Sequence, residues 1–241
     1  MATYAVTGAN RGIGLEYVRQ LSSNTSNTVL ATVRSLSSSD QTALGDVAYS
    51  NSNVHVLECD VSSVSSIVGL ATSVPTILGE NRINYVLNNA AILQAPEQTS
   101  LSLTADALLA HVMTNVLGPA KVTETLLPFL APGAIVVNIT SSMGSCAMLS
   151  DGSINANITP YSISKTALNM LTVHQAKHLK AARKDVVMVC VDLGHIKTDM
   201  GGPAAAIEVQ ESASNVLSTI RGLKNEDSGK FLLYNGKELP W

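Results

Sequence analysis

Charge is scarce in this chain of 241 residues: Asp, Glu, Lys and Arg make up only 14%, and 18 acidic against 15 basic side chains leave a formal net charge of -3. No run of Lys or Arg supplies the basic stripe that nucleic acid demands, so a nucleic-acid partner is not expected. Aromatic residues are equally sparse at 4%, so the core must be assembled mainly from Ala, Val, Leu and Ile. The three cysteines, Cys59, Cys146 and Cys190, are odd in number, widely spaced and set among apolar or small residues. That pattern fits reduced thiols and gives neither a disulfide framework nor a metal site. No apolar stretch approaches the roughly 20 residues needed to span a bilayer, and the first residues enter a strand-like run rather than a signal peptide. A cytoplasmic protein with no membrane partner is therefore expected.

Hydrophobic residues, by contrast, are abundant at 46%. A chain of this length can bury about 70 to 75% of its unfolded surface around one core, so residues 1–241 are expected to form a single domain. Strand-like apolar runs occur at 3–7, 28–33, 54–57, 83–88, 134–139, 186–191 and 231–234. Between most of them lie stretches with apolar residues at helical spacing, such as Ile13, Tyr17, Val18 and Leu21, or the stripe from Leu101 through Val116. Strand and helix alternate almost from the first residue, which predicts an α/β Rossmann fold: a doubly wound, parallel, seven-stranded sheet with helices on both faces. A helix is also predicted from Pro160 onward. Two irregular stretches, 143–160 and 194–204, are predicted to be loops beside a ligand site, the second a candidate lid.

TGANRGIG, residues 7–14, follows the first strand and opens the first helix, where free N–H groups and the positive helix end can hold a pyrophosphate. Gly8, Gly12 and Gly14 permit close approach, although the spacing departs from the commoner G-x-G-x-x-G and a tight βα connection alone would also use such residues. Dinucleotide folds discriminate at the end of the second strand, where an acidic side chain selects NAD and an Arg accommodates the extra phosphate of NADP. Here the strand runs into Arg34, no carboxylate follows it before Asp40, and Arg11 is also near. NADPH/NADP is the expected cofactor, with NAD less favoured.

YSISK, residues 161–165, puts the Tyr161 phenol and the Lys165 ammonium on one helical face. A nearby cation is expected to lower the phenol's pKa and make it a competent acid or base. The 134–139 strand runs into Thr140, Ser141, Ser142, Met143 and Gly144, so hydroxyls stand at a strand's carboxyl end, where open α/β sheets bind ligands. By distance alone Ser141 or Ser142 could hold a carbonyl oxygen. Asn115 lies in an otherwise apolar helical stretch and needs a partner, either a backbone carbonyl or a water feeding protons to Lys165.

Together these motifs resemble the short-chain dehydrogenase/reductase family over almost the whole chain. The resemblance implies a catalytic set of Asn115, Ser141, Tyr161 and Lys165, with Ser141 chosen because the family's Ser stands three residues before a Gly, here Gly144. It also implies cofactor contacts from Gly8, Asn10, Arg11, Gly12, Ile13, Gly14 and Arg34, from the adenine-side pair Asp60 and Val61, and from Asn89, Ala90 and Ala91. Tyr161, Lys165, Gly194, Ile196 and Thr198 complete the cofactor list, and no metal is implied. The 199–203 segment and the Pro240-Trp241 ending look like sniffer and C-factor-like carbonyl reductases. Ala91 and Leu193 depart from the family's usual Gly and Pro, and Ser141 and Tyr161 are 20 positions apart, farther than is usual. The intervening loop must bulge for the two side chains to meet. The expected reaction is NADPH-dependent reduction of a ketone or aldehyde. Oxidation of a secondary alcohol, a cofactor-binding signalling protein with little turnover, and an enzyme of secondary metabolism adapted to a large polycyclic substrate are the alternatives. The resemblance also implies a homodimer or homotetramer formed through two long helices, here at about 101–130 and 160–182.

Overall fold

In the computed structural model, which describes residues 1–37 and 42–241, the chain alternates strands and helices. In order these are β1 (Thr3–Thr7), α1 (Gly12–Ser22), β2 (Thr28–Val33), α2 (Thr42–Ser50), β3 (Val54–Glu58), α3 (Val64–Val68), α4 (Leu70–Leu78) and β4 (Ile83–Asn88). They continue with α5 (Ala105–Val112), α6 (Gly118–Leu126), β5 (Leu130–Thr140), α7 (Cys146–Ser150), α8 (Thr159–Ala181), β6 (Val186–Asp192), α9 (Val209–Arg221) and β7 (Phe231–Leu233).

The strands form one seven-stranded sheet in the order β3-β2-β1-β4-β5-β6-β7, and every adjacent pair is parallel. β1, β2, β5 and β6 read as continuous apolar runs because helices cover both faces and leave no side to solvent. All five residues of β1 are buried. One apolar layer joins Tyr17, Val18 and Leu21 of α1 to Val216, Leu217 and Ile220 of α9 across the sheet's first face. The other joins Ile67, Leu70 and Val74 of α3 and α4 to Val122, Leu126 and Leu179 on the opposite face. Fully burying one such side chain stabilises by about 1.5–3 kcal/mol. The chain goes from β1 to β2 and β3 on one side and returns to β4 on the other. The reversal opens a crevice at the carboxyl ends of β1 and β4. No helix among the described residues is long and apolar enough to cross a membrane, and all three cysteines are free.

Several boundaries differ from expectation. The helix expected from 101 starts at Ala105, because the Thr104 hydroxyl caps it by accepting from Ala107 N–H at 3.3 Å; Leu101, 97% exposed, lies in the preceding turn. The same stretch widens to a π-turn at Met113–Leu117 and tightens to a 3-10 turn at Leu127–Phe129 before β5 begins. β5 starts at Leu130, not 134, since Leu130 pairs with Ile83 ahead of a register shift that absorbs Pro132 and Gly133. The 143–160 stretch is not all loop: it holds the end of a 3-10 turn, Ser142–Gly144, then α7, and α8 begins at Thr159.

Candidate active site

At the crevice, Gly8 and Gly12 have φ of 66° and 53°, a left-handed conformation that only glycine adopts without strain. A Cβ on Gly14 would lie 2.1 Å from the Gly8 carbonyl oxygen, so only glycine lets α1 begin against this turn. The Thr7 hydroxyl accepts from Asn89 and Ala90 N–H at 2.9 and 3.0 Å, and Asn89 Nδ2 donates to the Thr7 and Gly8 carbonyls at 2.8 and 3.3 Å. The Asn89-Ala90 step thus shapes the glycine turn from the neighbouring strand. Ala91 continues it toward residue 92. Arg11 stands at the amino end of α1 in extended conformation, no side chain caps that end, and no acidic residue occupies the first turn. Uncapped N–H groups of a turn carrying Asn10, Ile13 and three glycines suit an anion. This cradle fits the pyrophosphate of a dinucleotide.

Arg11 pairs with Asp199 at 3.5 Å, both largely exposed. Such a surface pair contributes about 0–1 kcal/mol and yields readily to a phosphate. Arg34 is exposed just past β2, while Asp40 lies outside the described residues. The Glu58 carboxylate, at the end of the adjacent β3, accepts from Leu36 N–H at 3.0 Å. Asp60 Oδ1 accepts from Ser62 N–H and Oγ at 2.9 and 2.7 Å. Beside it Val61 is pressed by α6, where a Cβ on Gly118 would lie 2.6 Å from the Val61 carbonyl oxygen.

The proton-transfer candidates meet at the carboxyl end of β5. Pro160 occupies the first turn of α8, where its missing N–H has no helical partner to lose. Lys165 is 2% exposed, its Nζ donates to the Ile139 carbonyl at 2.8 Å, and it lies 5.3 Å from the centroid of the Tyr161 ring. Ser141, not Ser142, is the hydroxyl that acts on the Tyr161 phenol, lowering its pKa, and Ser141 Oγ accepts from Met143 N–H at 3.2 Å. The 20-residue separation is absorbed by α7 and a turn ending at Ile158, whose φ is 49°. Gly144 lets this turn approach α8: a Cβ there would lie 2.7 Å from the Lys165 carbonyl carbon.

Burial pulls the Lys165 ammonium down to about 8, against the opposing effects of Cys190 and Asp192. Burial also raises the Tyr161 phenol, Asp192 adds to the rise, and the Ser141 hydrogen bond opposes it. This overturns the expectation of a phenol lowered by its lysine. The ammonium is bonded to a strand carbonyl, and desolvation of the phenolate dominates.

None of the hydrogen bonds of Asn115 among the described residues goes to Lys165. The Asn115 amide accepts from Ile92 N–H at 2.8 Å and donates to the Ile92 carbonyl and Ser164 Oγ at 2.9 and 3.0 Å. The side chain is thus satisfied by the backbone of Ile92 and by the Ser164 hydroxyl. One turn earlier His111, fully buried, accepts from Gln94 N–H at Nε2 (3.1 Å) and donates from Nδ1 to the Ala107 carbonyl (2.7 Å). His111 and Asn115, at i, i+4 spacing, fasten the segment after β4. Sequence reading missed His111, although its spacing to Asn115 on an apolar helix was a usable signal. It also missed Asp192, a lone carboxylate ending the apolar run of β6.

Past β6, Gly194 has φ of 71° and packs so closely that a Cβ would lie 2.5 Å from Ile207 Cδ1. Thr198 N–H donates to the Ile196 carbonyl at 2.9 Å, and Ile196 bridges to Ile207. A Cβ on Gly12 would lie 3.5 Å from Thr198 Cγ2, so this turn overhangs the glycine cradle. The carboxyl-terminal residues reach the site as well. Ser145 Oγ donates to the Pro240 carbonyl at 2.7 Å and Ala147 N–H to the Trp241 carbonyl at 2.8 Å, while the Trp241 ring stacks on Phe231 at 5.4 Å.

Residues 2–208 match the family model described as short chain dehydrogenase. The chain is 41% identical to C-signal of Myxococcus xanthus over 162 residues, covering 66% of this chain and 93% of that protein. Among solved structures it resembles the NADPH-bound carbonyl reductase from chicken fatty liver, with 31% identity, TM-score 0.91 and coverage of 100% of this chain and 99% of that one. It also resembles the carbonyl reductase Sniffer of D. melanogaster, with 27% identity, TM-score 0.88 and full coverage of both chains. With a seven-stranded parallel sheet, a glycine cradle at its switch point and a serine, tyrosine and lysine gathered beside it, this chain belongs to the short-chain dehydrogenase family of oxidoreductases.

Proposed function

We propose that the chain is an NADPH-dependent reductase of ketones or aldehydes in which Tyr161 is the proton donor. The observation that carries this reading is the Lys165 ammonium 5.3 Å from the centroid of the Tyr161 ring, with Ser141 acting on the same phenol, next to a cradle shaped for pyrophosphate. When bound, the reduced nicotinamide supplies the hydride. The chain's own residues handle the oxygen. Ser141 donates a hydrogen bond to it, and Tyr161 transfers its proton as negative charge develops there. Burial and Asp192 keep the phenol protonated at neutral pH, which is the form a donor needs. Lys165 carries its charge below about pH 8 and offsets the phenolate left behind. Asn115 and His111 hold the 92–94 segment. The stretches 143–160 and 194–204 form the substrate side, within a single domain spanning 1–241.

The test is NADPH oxidation by the purified protein with a panel of ketones and aldehydes, followed by absorbance. Turnover of at least one carbonyl supports the reading; bound NADPH with no turnover of any carbonyl or alcohol favours a signalling protein, a second reading suggested by the 41% identity to C-signal. Faster oxidation of secondary alcohols reverses the direction instead.

The choice of NADPH rests on Arg34 and Arg11. Arg34→Ala is expected to weaken NADPH binding about tenfold, the loss of one charge-assisted hydrogen bond at an exposed site, and to leave NADH binding within about twofold. Titration of cofactor fluorescence reads both, and equal losses for the two cofactors would place the extra phosphate elsewhere. We also propose a cytoplasmic location and a homodimer or homotetramer formed through α5, the π-turn that follows it and α8, where Leu109, Met113, Ile163 and Met170 present exposed apolar side chains.

A further inference from the structure

Asp192 is 5% exposed, yet among the described residues it forms no ion pair within 4.0 Å. Oδ2 accepts from Ser142 N–H at 3.0 Å, at the exit of β5, and Oδ1 accepts from Gly194 N–H at 2.9 Å, at the exit of β6. These are the two chain exits that carry Ser141 on one side and the turn through Thr198 on the other. We propose that Asp192 is a positioning residue, a clamp that holds these two exits in register and sets a negative charge facing Lys165 and Tyr161. The proposal rests on the reductase reading above.

Strand geometry explains why this carboxylate serves both ends. β5 and β6 run in register, with Thr140 opposite Asp192, so a side chain ending β6 stands level with the last residue of β5 and reaches the next residues' N–H groups. Burial raises the Asp192 carboxyl, and the Gly194 and Ser142 N–H groups oppose that rise by favouring the anion.

The ionisable groups facing it are few. α8 contributes Lys165 and Tyr161, whose pKa values both respond to Asp192. Its own strand adds the Cys190 thiol, two residues earlier on the same face, pushed up to about 12 by burial. β5 and the turn after it present Thr140 and Ser142, and β7 sets Leu233 opposite it, none of them charged. The sign follows directly. The carboxylate favours the protonated forms of both Lys165 and Tyr161, so removing its charge lets both lose protons at lower pH.

Two variants separate clamp from charge. Asp192→Asn keeps the shape, loses the charge and turns an N–H toward one of the two backbone donors. Ser142→Pro keeps the charge but deletes one clamping N–H, at the first position of a 3-10 turn where proline fits. For Asp192→Asn the alkaline limb of kcat/KM is expected to move down by about one pH unit, with the carbonyl KM raised about tenfold and NADPH binding within about twofold. Ser142→Pro is expected to raise KM similarly without moving the alkaline limb. A wild-type pH profile and KM in Asp192→Asn would overturn the proposal. Amide hydrogen exchange at Ser142 and Gly194 gives a readout that needs no turnover. Faster exchange at these amides in Asp192→Asn supports the clamp even if the wild-type enzyme reduces none of the carbonyls offered, and unchanged protection refutes it.

Discussion

Tyr161→Phe is expected to lower kcat/KM for carbonyl reduction by about a thousandfold, within the range of about 10²–10⁴ that a positioned proton donor contributes. That factor corresponds to about 4 kcal/mol of transition-state stabilisation. Because Tyr161 is only 9% exposed and the ring is retained, its packing survives. Removing one bonded hydroxyl costs stability about 1 kcal/mol. NADPH binding should stay within about twofold, so the loss falls on the chemical step. Steady-state kinetics with a reducible carbonyl, together with cofactor titration, check both parts. Turnover equal to wild type would remove Tyr161 from the donor role, and parallel loss of NADPH binding would make its role structural. Below about pH 8 Lys165 is charged and the wild-type rate should be level; above it the rate should fall as the ammonium that supports the phenolate loses its proton.

The second large effect is expected at Gly14. A methyl group there would sit 2.1 Å from the Gly8 carbonyl oxygen, 2.7 Å from Asn89 Nδ2 and 3.0 Å from the Gly8 carbonyl carbon. Two of these three are backbone atoms of the cradle, so no side-chain rotation relieves the clash. Overpacking of this kind costs about 3 kcal/mol, which for a chain of this size lowers Tm by about 6–12 °C. Gly14→Ala should also weaken NADPH binding more than a hundredfold, because the turn that presents its N–H groups must move. Gly45, inside α2 with nothing within 4 Å of a Cβ, is the control. Gly45→Ala should stabilise slightly through helix propensity. Calorimetry and fluorescence titration of the two variants decide the point: wild-type Tm and affinity in Gly14→Ala would refute the close-approach account.

What could be read in the chain beforehand, and what could not, divides by the range of the interactions. The β1 and β6 runs declared themselves because strands covered on both faces are apolar throughout, and YSISK did so because i, i+4 spacing fixes two side chains on one face. The glycine cradle is likewise local to residues 7–14. Asp192 was hidden because its partners are backbone N–H groups, one of them 50 residues away. The duty of Asn115 depended on Ile92, 23 residues distant, and no sequence rule says which backbone an amide will find. α7 escaped notice for a related reason: its five residues are capped by Ser145 and held by carbonyls of residues 240 and 241. The pKa of Tyr161 was misjudged because spacing reveals a neighbouring charge but not the depth of burial around it.

The hold of Pro240 and Trp241 on Ser145 and Ala147 has a practical consequence for handling the protein. An affinity tag or surface linkage joined after Trp241 pulls on the helix that follows Ser141, so it should distort which compounds are accepted. One joined ahead of Met1, 96% exposed at the amino ends of the strands, leaves that region undisturbed.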